Sequence, residues 1–309
     1  MALSKAQKEA VMHREGPAIV LAGPGSGKTT VITERTKFLT QQCGVLPIHI
    51  LVVTFTRAAA QEMQKRFLAL TDSRQTQIRF GTFHSLFFEI LRHAYHYTGA
   101  NIASEEEKYR FLREITAPMD IEIEDEAEFL HDVAREISRV KNERIPLEHY
   151  YAASVPEELF REIYRKYCRG MERAGKLDYD DLMVYTWELF SARPDILAGW
   201  RNRFRYILVD EFQDTNPLQT MLIKLIGAKS TTIGIIGDIA QSIYSFQGAK
   251  PSQFADFAMN GERELAQYVI NDNRRSTANI VNFCNYLRQS DSNISQCSRK
   301  PYPDDAAKA

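Results

Sequence analysis

Ala22-Gly23-Pro24-Gly25-Ser26-Gly27-Lys28-Thr29 joins an apolar run, Ala18-Ile19-Val20-Leu21, to a helical pattern that opens at Thr29. Closely spaced glycines let backbone N–H groups curl around an anion, and a helix N-terminus adds positive potential. A lysine at the helix start can reach the outer phosphates of a nucleotide, and the Thr29 hydroxyl can ligate Mg²⁺. A strand before and a helix after argue against a glycine-rich turn of no consequence. A second string, Asp210-Glu211-Phe212-Gln213-Asp214, follows the apolar run Tyr206-Ile207-Leu208-Val209. A carboxylate at such a strand end can hold Mg²⁺ opposite Thr29, and Glu211 is placed to polarise a water for in-line attack. Alone, an acidic pair at a strand end is as readily a solvated turn. Together with the upstream loop it reads as a nucleoside-triphosphatase site. Small-molecule kinases share such loops but seldom carry this glutamate.

These groups need a scaffold that brings residue 28 to residue 210. Ala18–Leu21, Ile50-Leu51-Val52-Val53, Ile78–Thr82, Tyr206–Val209 and Thr232–Ile236 read as five strands. Helical patterns over Thr29–Leu39, Ala58–Leu70 and Leu218–Ile226 lie between them, which predicts a parallel sheet covered on both faces. From about residue 88 to 204 the pattern is helical throughout, with Leu159, Ile163, Tyr167 and Met171 stepping by four beside Phe160 and Tyr164. That segment reads as a helical insertion, and the acidic run Glu122 to Glu128 within it as a solvated helix start.

A chain of 309 residues suits about two domains. Its 44% hydrophobic and 26% charged residues place it among globular chains and exclude a fibrous or disordered bulk. No apolar run approaches the ~20 residues of a membrane-spanning helix. The start carries no secretory core, and Cys43, Cys168, Cys284 and Cys297 form no C-x-x-C pair. Reduced thiols and a cytoplasmic setting are expected. Net charge is −1, yet residues 1–100 carry a balance of +6 and residues 101–136 one of −8. A basic first segment can face nucleic acid, or it can be ordinary solvated surface.

Further strings occur in order along the chain. Leu3 to Val11 encloses Gln7. Thr54-Phe55-Thr56-Arg57-Ala58-Ala59-Ala60 follows the second strand and Gly81-Thr82-Phe83-His84-Ser85-Leu86 ends the third. Leu177-Asp178-Tyr179-Asp180-Asp181-Leu182 closes the helical segment, Gly237-Asp238-Ile239-Ala240-Gln241 continues through Tyr244 and Phe246 to Ala249, and Asn273-Arg274-Arg275-Ser276 comes later. With Asp210–Thr215, these strings resemble the motifs of the UvrD/Rep/PcrA group of superfamily 1 DNA helicases over nearly the whole chain.

The resemblance implies an α/β fold, a RecA-like P-loop NTPase sheet interrupted by the helical insertion. It places a first motor domain (1A) at 1–87 and 205–268, an inserted subdomain (1B) with its return helices at 88–204, and an incomplete start of the second motor domain (2A) at 269–309. The implied activity is ATP hydrolysis with Mg²⁺, coupled to 3′-to-5′ movement on single-stranded or partial duplex DNA in repair, replication or recombination. The remaining helicase domains are the implied protein partners, and no membrane is involved. Gln7 is expected to read adenine, and Ala22, Gly23, Pro24, Gly25, Ser26, Gly27, Lys28, Thr29 and Thr30 to line the nucleotide. Catalytic roles fall on Lys28, Asp210, Glu211, Gln241 and Arg275, with Mg²⁺ on Thr29 and Asp210. Gln241 would sense the γ-phosphate, and Arg275 would add charge from the second motor domain. Phe55, Thr56, Arg57, Thr82, His84, Tyr244 and Phe246 would line the single-strand track, where aromatics stack on bases. Judged by residue type alone, Phe55 and Phe83 suit a core equally well. Departures from the group's pattern are Thr30, Ile239, Phe246, Gln247 and Arg274, whose planar side chain can still stack on a purine. Two related readings are a helicase-like subunit of a recombination nuclease complex and a DNA-binding regulatory module with an inactive ATPase.

Overall fold

The computed structural model describes residues 3–119, 121, 124–242, 249, 252–254, 257, 264–289 and 300–301. All five expected strands form: β1 (Ala18–Ala22), β2 (Ile50–Thr54), β3 (Arg79–Thr82), β4 (Tyr206–Val209) and β5 (Thr232–Gly237). A sixth, β6 (Ala266–Ile270), completes a parallel sheet of order β3-β2-β4-β5-β1-β6. The sequence reading lacks β6 for a physical reason. It is an edge strand whose residues alternate between half-buried and exposed up to Ile270, and Gln267 shortens its apolar run to Tyr268-Val269-Ile270.

The strand residues are buried on both faces because helices cover both. Leu51, Val53, Ile207, Val209 and Ile235 pack under α4 (Phe83–Tyr95), α8 (Tyr179–Ala192), α9 (Pro194–Arg203) and α10 (Pro217–Ile226). Val20, Ile50, Val52, Leu208 and Ile236 face α1 (Lys5–Met12), α2 (Lys28–Gln41) and α3 (Arg57–Leu70). Each fully buried Val, Ile or Leu contributes ~1.5–3 kcal/mol, so these layers set the sheet's position firmly.

The helical segment has its own core. α5 (Glu105–Thr116), α6 (Glu126–Glu143) and α7 (Glu157–Arg173) enclose Leu112, Leu130, Val133, Ile137, Phe160, Ile163 and Tyr167. The residues stepping by four on α7 supply one wall of it, with Leu159 and Tyr164 packed at its margin. Asp125 caps α6, its carboxylate accepting from Ala127 and Glu128 N–H, so the acidic run does sit at a helix start. α8 and α9 belong to the sheet's core instead, returning the chain to β4.

A buried charged cluster joins α6 to α8. Lys141 Nζ lies 2.7 Å from both Asp178 Oδ2 and Asp181 Oδ1, and Tyr167 donates to Asp178 Oδ2 at 2.9 Å. Burial pushes the Asp181 carboxyl up to about 6 against the pull of Lys141. Burial alone would raise Asp178 as well, but the ammonium outweighs it and holds that carboxyl at about 2. Removing the shared cation strands two carboxylates. Lys141→Met is therefore expected to cost about 3–5 kcal/mol, read as a lower urea midpoint. The loss should shrink as pH falls from neutral towards about 5, because Asp181 then becomes neutral and needs no counter-charge. A loss that grows on acidification would contradict this account.

Candidate active site

β1 delivers the glycine-rich loop and α2 receives it. Gly25 (φ +70°) and Gly27 (φ +85°) occupy the left-handed region, and Ser26 closes the turn by donating to Gly23 O from its N–H (3.2 Å) and its Oγ (2.6 Å). A Cβ on Gly27 would come within 2.9 Å of Gln7 Nε2. Gln7 is buried there, donating from Nε2 to Ser26 O at 2.7 Å and accepting from Ser4 N–H at 2.9 Å. Its amide thus ties the start of α1 to the loop. Pro24, Thr29 and Thr30 are half-buried around the same turn.

The acidic string arrives from two strands away. Asp210 N–H still bonds to Val53 O at 2.8 Å, so the strand register fixes the carboxylate's origin. Its side chain is 4% exposed and Oδ1 has no hydrogen-bond partner. Burial first, then the Glu211 charge, push the Asp210 carboxyl up to about 7, with Lys28 working in the opposite direction. Glu211 follows in a left-handed conformation (φ +49°), a strained choice for a non-glycine residue. Lys28 Nζ meets Glu211 Oε2 at 2.8 Å and donates to Gln241 Oε1 at 2.7 Å. Thr29, Asp210, Glu211 and Gln241 open onto one cleft of about 400 Å³. Five residues expected to act together (Lys28, Thr29, Asp210, Glu211 and Gln241) therefore do meet.

Gln213 lies among them and was not singled out from sequence. It is 1% exposed and donates to Glu211 Oε2 at 2.7 Å. Residue type gave no signal, since a glutamine after an acidic pair looks like a polar turn.

The segment after β6 touches the loop through its backbone. Arg274 N–H donates to Gly25 O at 2.8 Å, and Asn273 Oδ1 accepts from the N–H groups of Arg275 and Ser276, each at 2.9 Å. The Arg275 side chain is exposed.

Of the residues expected to meet a strand, Phe55 and His84 line a second, adjoining cleft of about 450 Å³, together with Tyr179. Phe55 is half-buried and borders both clefts. Thr56 caps α3 by accepting from Ala59 N–H (3.1 Å), Thr82 caps α4 through Ser85 N–H (3.2 Å), and Arg57 is exposed beside them. His84 meets Tyr179 edge-on at 5.2 Å, and burial lowers its pKa, which favours the neutral ring. Tyr179, 49% exposed, is an aromatic that the sequence reading named only within its motif. Phe83 is core. Tyr244, Phe246 and Gln247 lie outside the described residues.

Comparison with known proteins decides the family. The UvrD/REP helicase N-terminal domain family matches residues 3–261. The chain belongs to this family. It is 35% identical over 291 residues to a probable DNA helicase II homolog of Mycoplasma capricolum, covering 92% of this chain and 40% of that protein. A putative ATP-dependent DNA helicase, YjcD, of Bacillus subtilis is also 35% identical, over 90% of this chain and 37% of its own length. The ATP-dependent DNA helicase PcrA of Staphylococcus aureus is 33% identical over 96% of this chain and 40% of its own. The chain thus spans about two fifths of the length of these relatives. Among the described residues of this helicase-family chain, no helix is long and apolar enough to cross a membrane.

The unpartnered Oδ1 of the buried Asp210 carboxylate makes a direct prediction about stability. In chelator-treated buffer at about pH 8, Asp210→Asn removes a buried charge that has no hydrogen-bonded partner at Oδ1. Its unfolding midpoint should rise by a few degrees, equivalent to ~1–2 kcal/mol, in a thermal melt. A lower midpoint would mean that the carboxylate is already compensated.

Proposed function

We propose that this chain is the nucleotide-hydrolysing part of an ATP-dependent DNA helicase, in which ATP turnover drives 3′-to-5′ movement along single-stranded DNA. One observation carries the hydrolytic reading: Lys28 sits between Glu211 and Gln241, beside a buried carboxylate whose Oδ1 is orphaned. A hard divalent cation takes oxygen ligands, and the Asp210 Oδ1 with the Thr29 hydroxyl fits that need. Mg²⁺ held by Thr29 and Asp210 would supply positive charge to offset that developing on the phosphates.

The roles follow from chemistry at each position. The N–H groups of Gly25, Gly27 and Lys28 bind the phosphates, and Gln7, held against the loop by its bond to Ser26 O, reads adenine. Lys28 neutralises the outer phosphates; a phosphate oxygen is a competing acceptor for the ammonium that Glu211 and Gln241 now share. Glu211 takes a proton from the attacking water. Gln241, on the turn after β5, answers to the γ-phosphate, and Arg275 supplies charge from the neighbouring motor domain. Domain boundaries near residues 88, 205 and 269 complete this reading, with the remaining helicase domains as partners. The direction of travel rests on the motif resemblance alone.

Phe55, Thr56, Arg57, Thr82, His84 and Tyr179 form the strand-binding surface, and the motif resemblance alone adds Tyr244 and Phe246, which lie outside the described residues. Half-exposed aromatics beside capped helix starts suit binding without base preference, since every base has a face to stack.

Two experiments on the intact protein test the parts separately. Lys28→Ala should weaken nucleotide affinity in calorimetry, whereas Glu211→Gln should keep affinity and lower single-turnover hydrolysis by ~10²–10⁴. Wild-type turnover in Glu211→Gln would remove that residue from the mechanism. For the second cleft, truncating Phe55 or Tyr179 to Ala should each cost ~1–3 kcal/mol of oligonucleotide affinity in fluorescence anisotropy. Nucleotide affinity should hold. Unchanged DNA affinity in both variants would assign these rings to packing.

A further inference from the structure

Gln213 has partners in two segments that are distant in sequence. Its Nε2 donates to Glu211 Oε2 at 2.7 Å, and its Oε1 accepts the Asp238 N–H at 3.0 Å. Its main-chain oxygen accepts from Ser242 Oγ at 3.2 Å. One residue is therefore bonded twice within the turn after β4, to Glu211 and at 3.4 Å to Asp214 Oδ2, and twice to the segment after β5. The orientation of the amide is forced. A backbone N–H can only donate, so Oε1 must face Asp238 and the NH₂ group must face the carboxylate. The packing is close enough that a Cβ on Gly237 would overlap Gln213 Oε1.

The segment after β5 reaches the site by a second route. Asp238 accepts from Ala240 N–H at 3.2 Å and so caps the 3₁₀ turn Ile239–Gln241, from which Gln241 reaches Lys28. The same turn is thus bonded to the lysine through Gln241 and to the glutamate through Gln213.

We propose that Gln213 is a positioning residue for hydrolysis: it holds the Glu211 carboxylate in register with the turn that carries Gln241. The proposal rests on the reading of Glu211 as the base. Glu211 also meets Lys28, but phosphates draw on that ammonium. The Gln213 amide is a neutral donor, 1% exposed, that restrains the carboxylate without supplying a charge. A shift of the turn moves the Asp238 N–H, the amide with it, and then the base. Hydrolysis geometry and the position of the turn Ile239–Gln241 are in this way mechanically linked.

The test uses the intact protein with Gln213→Met, Gln213→Glu, Glu211→Gln and the double variant Glu211→Gln/Gln213→Met. Steady-state ATP hydrolysis gives kcat and KM, calorimetry gives nucleotide affinity, and a thermal melt checks the fold. Gln213→Glu keeps the acceptor for Asp238 and turns the donor towards Glu211 into a carboxylate oxygen, so it breaks the bond to the base and adds like-charge repulsion there. It is isosteric and carries the test if Gln213→Met unfolds. The expected result for both single variants is a kcat lowered ~10–100-fold, the range seen when a group that orients a catalytic residue is removed. KM and affinity should stay within about twofold, and the double variant should lose nothing beyond Glu211→Gln. Wild-type kcat in Gln213→Glu, with Glu211→Gln impaired, overturns the proposal alone, as does a full additional loss in the double variant. Wild-type kcat in Glu211→Gln overturns the base assignment and the proposal with it.

Discussion

One ammonium ties the site together. Lys28 comes from the start of α2, Glu211 from the end of β4 and Gln241 from the turn after β5, and its Nζ contacts the side chains of both partners. Lys28 lies nearly two hundred residues before Glu211 and over two hundred before Gln241, yet β4, β5 and β1 are neighbours in the sheet. A parallel sheet puts the carboxyl ends of its strands on one edge, where loops and helix N-termini converge. The site therefore requires β5 to sit between β4 and β1 and the register to hold, as it does where Val209 pairs with Ile235 and Leu21 with Gly237.

How much of this is legible in sequence depends on the range of the interaction that defines each feature. The glycine-rich loop, the acidic pair and five strands are local patterns, and each stands where the residues predict. β6 is not local in that sense, because an edge strand needs only one buried face and Gln267 shortens its apolar run to Tyr268-Val269-Ile270. Gln213 is invisible for a related reason: its partner Asp238 is twenty-five positions away, and the bond exists only once β4 and β5 pair. The same holds for Lys141, an ordinary helical lysine by sequence. Only packing of α6 on α8 places it between Asp178 and Asp181. The capping box formed by those two aspartates is local, yet their burial is not.

The edge that carries the glycine-rich loop and the acidic pair is also where the chain departs from its easiest conformations. Glu211 takes positive φ without being glycine, at a cost of ~1–3 kcal/mol. Asp210, one residue earlier, leaves a buried oxygen without a partner. Neither feature stabilises the fold, and the apolar layers on both faces of the sheet have to offset both.

The joint between the sheet and the helical segment follows a different rule. Asn216, two residues past Asp214, donates to Asn142 Oδ1 at 3.1 Å, and Asn142 Nδ2 donates in turn to Asp180 Oδ1 at 2.8 Å. This chain of amides leads from the loop after the acidic string onto α6 and the start of α8, beside the Lys141 cluster. The cores on either side are apolar and would tolerate small slides of one layer against the other. Directional bonds between buried groups do not, since a displaced donor is left unsatisfied at a cost of ~1–3 kcal/mol. The polar joint thus sets a single relative placement for the two cores, and with it the width of the cleft that Phe55, His84 and Tyr179 share with Asn142 and Asp180.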